Sequence, residues 1–216
     1  MRGVGSAACG RYALYSSADD LVALFRIVGS LELVPRFNVA PTQLLPVLLH
    51  DHTVATMKWG LVPTWSTTGK GVINARAEGL FDKPMFRTAA RKRRCLVPAD
   101  GFYEWRKSPS GKQPLLIRRP DRKPFLMAGV WEPGEPPTFA IVTTAANAVV
   151  APVHDRMPVI LDAAQVEPWL AEGTLPPPED IAPVDLTPVS DRVNNVRNDD
   201  PACLEGPMPS LFPGTG

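Results

Sequence analysis

Two apolar, partly β-branched runs lie either side of an Asp-His turn in the stretch from Leu44 to Trp59. Short apolar runs bounded by turn residues are typical of strands, so this stretch predicts a β-hairpin. Further strands are predicted in runs bounded mostly by proline or glycine: "RRCLVPA", "FYEWRK", "PLLIRR", "PFLMAGVW" and "TFAIVTTA". The middle of the chain is therefore expected to be rich in β-structure.

Helical signals are few and short. A cap at Ser17, with an acidic residue three positions on, precedes apolar residues that recur at helical spacing up to Gly29. The run "KPMFRTAARK" predicts a short helix with Pro84 in its first turn, and "DAAQ" at residues 162–165 caps a third helix that carries Trp169. Strands with a few inserted helices predict one α+β domain with a mostly antiparallel, barrel-like β core.

Composition and charge narrow the class of protein. The 216 residues are 44% hydrophobic and 21% charged, which is typical of a soluble globular protein. The net charge of +1 excludes a whole-molecule field that attracts nucleic acid, so any such attraction must come from local clusters of Lys and Arg. No apolar run approaches the roughly 18 residues of a membrane span, and no secretory signal is present. A cytoplasmic protein is expected.

The cysteines suit a reducing compartment. Cys9, Cys95 and Cys203 make an odd number and show no CxxC or Cys/His ligand spacing, which argues against a disulfide framework and a structural zinc site. Cys95 falls within an apolar strand and is expected to be a buried core thiol. Cys203 is expected to be a residue of the tail. Neither a metal nor another cofactor is expected.

Two residues are candidates for proton transfer. His154, with Arg156, directly precedes an apolar β-branched run, and a histidine at such a loop-to-strand edge suits catalysis near neutral pH. A hydrogen-bonded surface histidine is an equal alternative. Glu104 alternates with Tyr103 and Trp105 along a predicted strand and so points to the opposite face. A carboxylate on a partly buried face needs a partner, and a structural partner is commoner than a catalytic one.

Polar and basic residues indicate a candidate nucleic-acid groove. Asn74 and Arg76 alternate along "INAR" and can face one groove, where the amide both donates and accepts and the guanidinium suits phosphate. Basic residues interleaved with Trp65 and Trp105 fit a groove for single-stranded nucleic acid, although a solvated charged face is about as common. The basic residues are Arg87, Arg91, Lys92, Arg93, Arg94, Arg106, Lys107, Arg118, Arg119, Arg122 and Lys123.

Seven stretches in order, from Cys9 to about Arg197, resemble the SRAP family, the abasic-site processing proteins also called SOS-response-associated peptidases. The stretches are "CGRY", "FNVAPTQ", "WGLVPTW", "INARAE", "RRCLVPADGFYEW", "AIVTTAA" and "HDRMPVIL". The resemblance implies an α+β domain around a β-barrel-like core. It also implies covalent capture of abasic sites in single-stranded DNA, which protects them during replication and repair. In the family pattern the cysteine becomes N-terminal, its amine condenses with the sugar aldehyde, and its thiol closes a thiazolidine ring.

The resemblance assigns roles to individual residues. Cys9 matches the nucleophile, Asn74 the amide that orients the aldehyde, Glu104 the carboxylate near the amine, and His154 the acid/base group, which also supports a lyase step. The resemblance implies phosphate contacts for Arg11, Arg76 and Arg156. It implies aromatic contacts beside the DNA for Trp65 and Trp105, and it places Asn38 and Pro41 in the lining of the pocket. The implied partner is abasic single-stranded DNA, with the replication machinery as a candidate. A monomer that is nucleoid-associated when bound to DNA, with no membrane association, is expected.

One feature departs from the family pattern, in which the cysteine directly follows the initiator methionine. Eight residues precede Cys9 here, and an amide nitrogen is not a nucleophile. Either the domain cleaves its own Ala8–Cys9 bond, using the Cys9 thiol with Glu104 and His154 nearby, or the leader stays and the protein only binds DNA. We favour cleavage, with residues 1–8 a removed leader, 9–198 the domain and 199–216 a loosely ordered tail. This interpretation requires an accessible Cys9 thiol close to His154, Glu104 and Asn74.

Two other functions are compatible with the same residues. The first is a non-covalent binder of single-stranded DNA or RNA that uses the basic and aromatic groove. The second is a thiol peptidase that acts on other proteins, which would need an open groove for a peptide. A denaturing gel with abasic DNA separates these alternatives, because only a covalent protein–DNA product keeps a shifted band in denaturant.

Overall fold

The computed structural model describes residues 8–208, so most of the expected leader and the end of the expected tail lie outside the described residues. The strands are β1 (Tyr12–Leu14), β2 (Arg36–Val39), β3 (Leu44–Leu48), β4 (Val54–Trp59), β5 (Asn74–Arg76), β6 (Arg94–Ala99), β7 (Gly101–Ser108), β8 (Gly111–Arg118), β9 (Phe125–Glu132), β10 (Thr138–Ala145), β11 (Arg156–Pro158), β12 (Ile160–Leu161) and β13 (Asp185–Pro188). The α-helices are α1 (Ala18–Phe25), α2 (Arg87–Lys92) and α3 (Ala163–Glu167). Shorter helical turns are Pro168–Glu172, Pro178–Asp180, Asp191–Asn194 and Pro201–Leu204.

Five strands close into a barrel. β10 pairs in parallel with β4, and the ring continues through the antiparallel pairs β4–β3, β3–β6, β6–β9 and β9–β10. The large side chains of Trp59, Phe139 and Met127 are fully buried in its core. β5 runs parallel to β10 with Asn74 opposite Ile141, so the barrel fixes the position of Asn74. The predicted α+β class with a mostly antiparallel, barrel-like core is confirmed.

A second sheet, in the order β13-β8-β7-β1-β2, packs on the barrel. Alternation along β7 sends Phe102 into the barrel core and Tyr103 into a smaller cluster on the other face, which also contains Cys203 and Val193. Glu104 follows the alternation of Phe102 and therefore lies on the barrel side of the sheet. The site is built where this sheet meets the barrel.

Two helices differ from their sequence predictions. α1 begins at the predicted cap, where the Ser17 hydroxyl accepts a hydrogen bond from a backbone N–H, but it ends at Phe25 rather than continuing to Gly29. The reason is Arg26, which takes a left-handed conformation with φ of 52° and closes the last turn through its own N–H. α2 begins only at Arg87, so proline lies in the turns before the helix and not in its first turn.

Other predicted elements are confirmed. β3 and β4 form the predicted hairpin between Leu44 and Trp59. α3 begins with a reciprocal capping box between Asp162 and Gln165, and the π-helical turn that follows buries Trp169. No helix in the described range 8–208 is long and apolar enough to cross a membrane.

Residues 199–205 are ordered where the sequence predicted a loose tail. The carboxylate of Asp199 accepts the backbone N–H groups of Phe37 and Asn38, and Cys203 is fully buried in a helical turn. The expectation of a loose tail is therefore wrong for residues 199–205, because these contacts outweigh the Pro- and Gly-rich composition. Residues 209–216 lie outside the described residues.

A close approach of two glycines closes the loop that carries Trp65. The backbones of Leu61 and Val72 exchange hydrogen bonds of 2.9 Å, and a Cβ added to Gly71 would lie 2.6 Å from the carbonyl oxygen of Gly60. We expect Gly71→Ala to lower the free energy of unfolding by about 1–3 kcal/mol, because the contact is with backbone held in that bridge. Urea unfolding measures the change, and an unaltered midpoint would contradict the expectation.

Candidate active site

The peptide bond between Ala8 and Cys9 lies at the centre of the site. Glu104 Oε1 accepts the N–H of Cys9 at 2.9 Å, and Asn74 Nδ2 donates a hydrogen bond to the carbonyl oxygen of Ala8. Cys9 has a φ of 45°, which is uncommon for a residue other than glycine. Two side chains from different sheets therefore hold both polar groups of one peptide.

The strand register explains why these groups meet. β1 runs antiparallel to β7 with Tyr12 opposite Phe102, and the N–H of Tyr103 donates to the carbonyl oxygen of Arg11 at 2.9 Å. The chain that leads into β1 therefore continues alongside β7 and brings Cys9 to the Glu104 side chain. Asn74 reaches the same peptide from β5, whose position the barrel fixes.

Burial dominates the electrostatics of the site. Glu104 is 4% exposed, and burial raises its pKa despite the opposing effects of the Cys9 N–H and of a charged His154, with Asp155 adding a further rise. Burial, reinforced by the charge of Glu104, also raises the pKa of the Cys9 thiol well above its usual range. The thiol is therefore protonated near neutral pH and needs a base to become a nucleophile.

The expectation of an accessible Cys9 is wrong for the uncleaved chain. Cys9 is 0% exposed, and Ala8 is buried as well. The physical reason is that the chain continues through Ala8 into the site, so its own backbone takes the two hydrogen bonds offered by Glu104 and Asn74.

His154 lies at the predicted edge between a loop and a strand, directly before β11. Its Nδ1 lies 3.0 Å from the backbone nitrogen of Arg156 and 3.2 Å from the Arg156 carbonyl oxygen, so its own loop holds the ring whichever ring nitrogen carries the proton. The Asp155 carboxylate lies 3.3 Å from the same nitrogen and becomes an ion-pair partner when the ring is charged. The histidine is half-buried, and its ring is held by its own loop.

Arg156 is engaged within the protein. Its two terminal nitrogens donate to the two carboxylate oxygens of Glu78 at 2.9 Å each, and one of them also donates to the carbonyl oxygen of Thr143. These bonds lower the pKa of Glu78. The side chain of Arg76, two residues before Glu78, is exposed and makes no hydrogen bond with another described residue. The sequence interpretation omitted Glu78, although its place beside Arg76 in "INARAE" was a usable signal.

Arg11, Trp105 and Asn38 form one cluster with the turn at residues 193–198. The Arg11 guanidinium lies 5.5 Å above the Trp105 ring and donates to Asn38 Oδ1 at 2.8 Å and to a carbonyl of the turn at 2.7 Å. The Trp105 indole donates to Asn194 Oδ1 at 2.6 Å. Asn38 is fully buried, and its amide nitrogen donates to three carbonyls of the turn. Its amide group is therefore used within the protein.

The comparisons with known proteins identify the family. The model of the SOS response associated peptidase (SRAP) family matches residues 8–196. The chain belongs to the SRAP family. The resemblance seen in its sequence is thus confirmed, and the match spans Cys9, Asn74, Glu104 and His154.

Relatives of this SRAP chain carry informative names. The abasic site processing protein YoqW of Bacillus subtilis is 35% identical over 221 residues, an alignment that covers 91% of this chain and 99% of YoqW. The abasic site processing protein HMCES of Gallus gallus is 33% identical, and the alignment covers 79% of this chain and 66% of HMCES. A crystal structure of a Bacteroides thetaiotaomicron protein matches with a TM-score of 0.79 at 27% identity, covering 93% of this chain and all of that one.

The remaining residues that the SRAP resemblance assigns to DNA contact lie on loops. Trp65 is 63% exposed in the loop closed by the two glycines, and Pro41 is half-buried after β2. In the described part of the chain, no hydrogen bond joins either of them to the Ala8–Cys9 peptide. Their contacts with DNA stay predictions.

One titratable group near the site, Tyr12, was not singled out by the sequence. The buried hydroxyl of Tyr12, in the "CGRY" stretch, has no hydrogen-bond partner in the described range, and burial raises its pKa with a further rise from a charged Cys9. Cys95 is a buried thiol as predicted, whereas Cys203 belongs to a packed cluster rather than to a tail. Among residues 8–208 no group of three or more His, Cys, Asp or Glu side chains is arranged to hold a metal ion.

Proposed function

We propose that this SRAP protein captures abasic sites in single-stranded DNA covalently, after it has cleaved its own Ala8–Cys9 bond. The observation that carries the proposal is the pair of hydrogen bonds on that peptide, from Asn74 to the carbonyl oxygen and from the N–H to Glu104. The names of YoqW and HMCES, both abasic site processing proteins, support the same conclusion.

Cleavage begins when Cys9 Sγ attacks the carbonyl carbon of Ala8. The attack is on the neighbouring residue of the same chain, so this step does not need the exposed thiol that the sequence analysis required, and the thiol becomes accessible to DNA only when the leader has left. A C–S bond forms and the C–N bond breaks, so a thioester joins Ala8 to the Cys9 side chain while the nitrogen leaves as an amine. The Asn74 amide stabilises the negative charge that develops on the Ala8 oxygen. Glu104, bonded to the leaving nitrogen, receives the thiol proton and delivers it to that nitrogen. Water then hydrolyses the thioester, which releases the leader and restores the thiol.

Capture uses the two groups that cleavage releases on one residue. The Cys9 amine adds to the sugar aldehyde, water departs with a proton from the His154 ring, and the thiol adds to the resulting imine carbon to close a thiazolidine. Glu104 accepts the proton of the ammonium group, and its raised pKa makes it a stronger base for this transfer. Ring closure is intramolecular, which favours a lasting adduct over a reversible imine.

The DNA strand is proposed to lie over the exposed side of the same site. Arg76 is free to contact phosphate, whereas Arg11 and Arg156 are held in place by Asn38 and Glu78. Trp105, stacked against Arg11, offers a ring beside the strand. Single-stranded DNA is the proposed substrate because the opened sugar must enter a pocket without a paired strand. A monomer in the cytoplasm, nucleoid-associated when bound to DNA, is part of the proposal.

Intact-mass spectrometry and a denaturing gel test the proposal together. The purified chain should lose the mass of Met1–Ala8, and the processed protein should give a denaturant-resistant band with abasic single-stranded DNA but not with undamaged DNA. A chain that keeps its leader and still cross-links would refute the need for cleavage. A band that disappears in denaturant would indicate a non-covalent binder. A peptidase for other proteins is not favoured, because Cys9 is buried with its own backbone.

Asn74→Ala should slow release of the leader by about 10²–10³-fold, because it removes the donor to the Ala8 carbonyl oxygen. The fraction of uncleaved chain is followed over time by mass spectrometry. An unchanged melting temperature shows that the variant is folded. Cleavage at the wild-type rate would show that this hydrogen bond has no role in the reaction.

A further inference from the structure

The tip of the β7–β8 hairpin carries a concentration of positive charge. The stretch "RKSPSGKQ" at residues 106–113 contains Arg106, Lys107 and Lys112 and no acidic residue, whereas the whole chain has a net charge of only +1. Residues 106–112 are all exposed. No carboxylate in the described part of the chain lies within ion-pair distance of these three side chains. We call residues 106–112 the cationic hairpin.

Two of these charges face each other. Lys107 lies directly opposite Lys112 in the antiparallel ladder, so both side chains leave the same face of the hairpin. Like charges in directly opposed positions destabilise a strand pair. Trp105 lies on this face as well, one alternation closer to the barrel and opposite Pro114. An anion placed between the two lysines would relieve their repulsion.

The hairpin extends directly from the candidate active site. Arg106 lies two residues beyond Glu104 on the same face of β7, about 7 Å along the strand, whereas Lys107, about 10 Å beyond Glu104, leaves the opposite face beside Trp105. β1 pairs with β7 only near Gly101 and Phe102, so this edge of β7 has no strand partner beyond Glu104 among the described residues. A nucleotide strand whose abasic residue reaches Cys9 can follow this edge, where the exposed side chains of both faces reach its phosphates.

We infer that the cationic hairpin binds the phosphodiester backbone of the nucleotides on one side of the abasic residue. This inference rests on the proposed function and adds a contact outside the residues that the SRAP resemblance assigns. Lys107 and Lys112 flank one phosphate from opposite strands of the hairpin, and Arg106 contacts the phosphate closer to the site. Binding releases the counterions of these phosphates, so it depends on salt.

The test compares two variants that each lose two exposed positive charges. Lys107→Gln/Lys112→Gln alters the hairpin, and Arg26→Gln/Lys123→Gln is the matched control at another surface, where both residues border one cavity beside α1. We expect about tenfold weaker binding of an undamaged single-stranded oligonucleotide for the hairpin variant at low salt. Its plot of log K against log salt should be shallower by about 1.4, for two lost phosphate contacts. The control should stay within about twofold of wild type.

Oligonucleotides with only one flank locate the contact. An abasic residue at either end of the strand leaves nucleotides only on its 3′ side or only on its 5′ side. The hairpin variant should lose affinity with one of these strands and match wild type with the other. An equal loss with both strands, or a loss as large in the control variant, would overturn the inference in favour of a general effect of charge.

The outcomes separate this inference from the proposed function. One outcome is that the hairpin variant binds DNA with the same salt dependence as wild type, while the wild-type protein captures abasic DNA covalently. This outcome would refute the hairpin contact and support the proposed function. Weaker binding by the hairpin variant, with no covalent product from wild-type protein, would refute the capture chemistry and leave the hairpin as a nucleic-acid contact. The melting temperature of each variant checks its fold. The melting temperature of the hairpin variant should equal or exceed that of wild type, because the repulsion between Lys107 and Lys112 is relieved.

Discussion

Cys9→Ala should leave Met1–Ala8 attached and abolish covalent linkage to abasic DNA at every DNA concentration. The substitution removes the sulfur that we propose attacks the Ala8 carbonyl, so the nitrogen of residue 9 should stay an amide, which cannot condense with an aldehyde. Both losses appear in one sample, as the uncleaved mass by spectrometry and as a missing band in the denaturing gel. A chain shortened to begin at Cys9 should need no cleavage and should cross-link.

A second cysteine supplies the control. Cys203→Ala removes another buried thiol, one that packs beneath the β7–β8 sheet and away from the Ala8–Cys9 peptide. It should be cleaved and should cross-link as wild type does, even where its melting temperature falls. If Cys203→Ala lost cross-linking to the same extent, or Cys9→Ala retained it, the assignment of Cys9 as the nucleophile would be wrong.

Glu104→Gln should stabilise the fold at neutral pH while slowing leader release and DNA capture by about 10²–10⁴-fold. Burial raises the pKa of Glu104 in the folded chain, so the folded state favours the protonated form. The stability that this form contributes is complete below the unfolded pKa of about 4.3 and is lost as pH rises through the folded pKa. Glutamine keeps the oxygen that accepts the Cys9 N–H and has no charge to bury. Its advantage should therefore vanish in acid.

Urea unfolding between pH 4 and pH 8 measures this difference, and Glu132→Gln is the matched control. Glu132 is also 4% exposed, but it pairs with Arg93 at 2.9 Å. Removing its charge should destabilise the fold at neutral pH by about 1–3 kcal/mol, the opposite direction, because Arg93 loses its charged partner. If Glu104→Gln destabilised the fold as well, Glu104 would have a structural role, which the sequence analysis gave as the commoner role for such a carboxylate.

Features set by neighbouring residues in the sequence were predicted, whereas features set by contacts between distant residues were not. The long strands β6 to β10 were predictable because most of them are apolar runs with proline or glycine at one end or both. The alternation around Glu104 also gave its face correctly. Short strands such as β5, with three residues, carry no periodic signal and exist only through pairing with β10. The end of α1 depends on the left-handed conformation of Arg26, which the apolar spacing does not encode.

The candidate site shows the same limit. The pattern of motifs brought Cys9, Asn74, Glu104 and His154 into one hypothesis. It did not indicate that Asn38 binds a turn about 155–160 positions later in the chain, because local residue types do not encode such long-range contacts. Burial of Cys9 was missed for a related reason, since exposure depends on how two sheets enclose the preceding peptide.

The two hydrogen bonds to the Ala8–Cys9 peptide join residues that emerge from the ribosome at very different times. Asn74 lies 66 residues after Ala8, and Glu104 lies 95 residues after Cys9. Under the proposed self-cleavage, a nascent chain keeps its first eight residues until the second of these side chains has been synthesised and folded into place. Molecules that never fold should then retain these residues, so the length of the N-terminus would report which copies in a preparation have reached the native state.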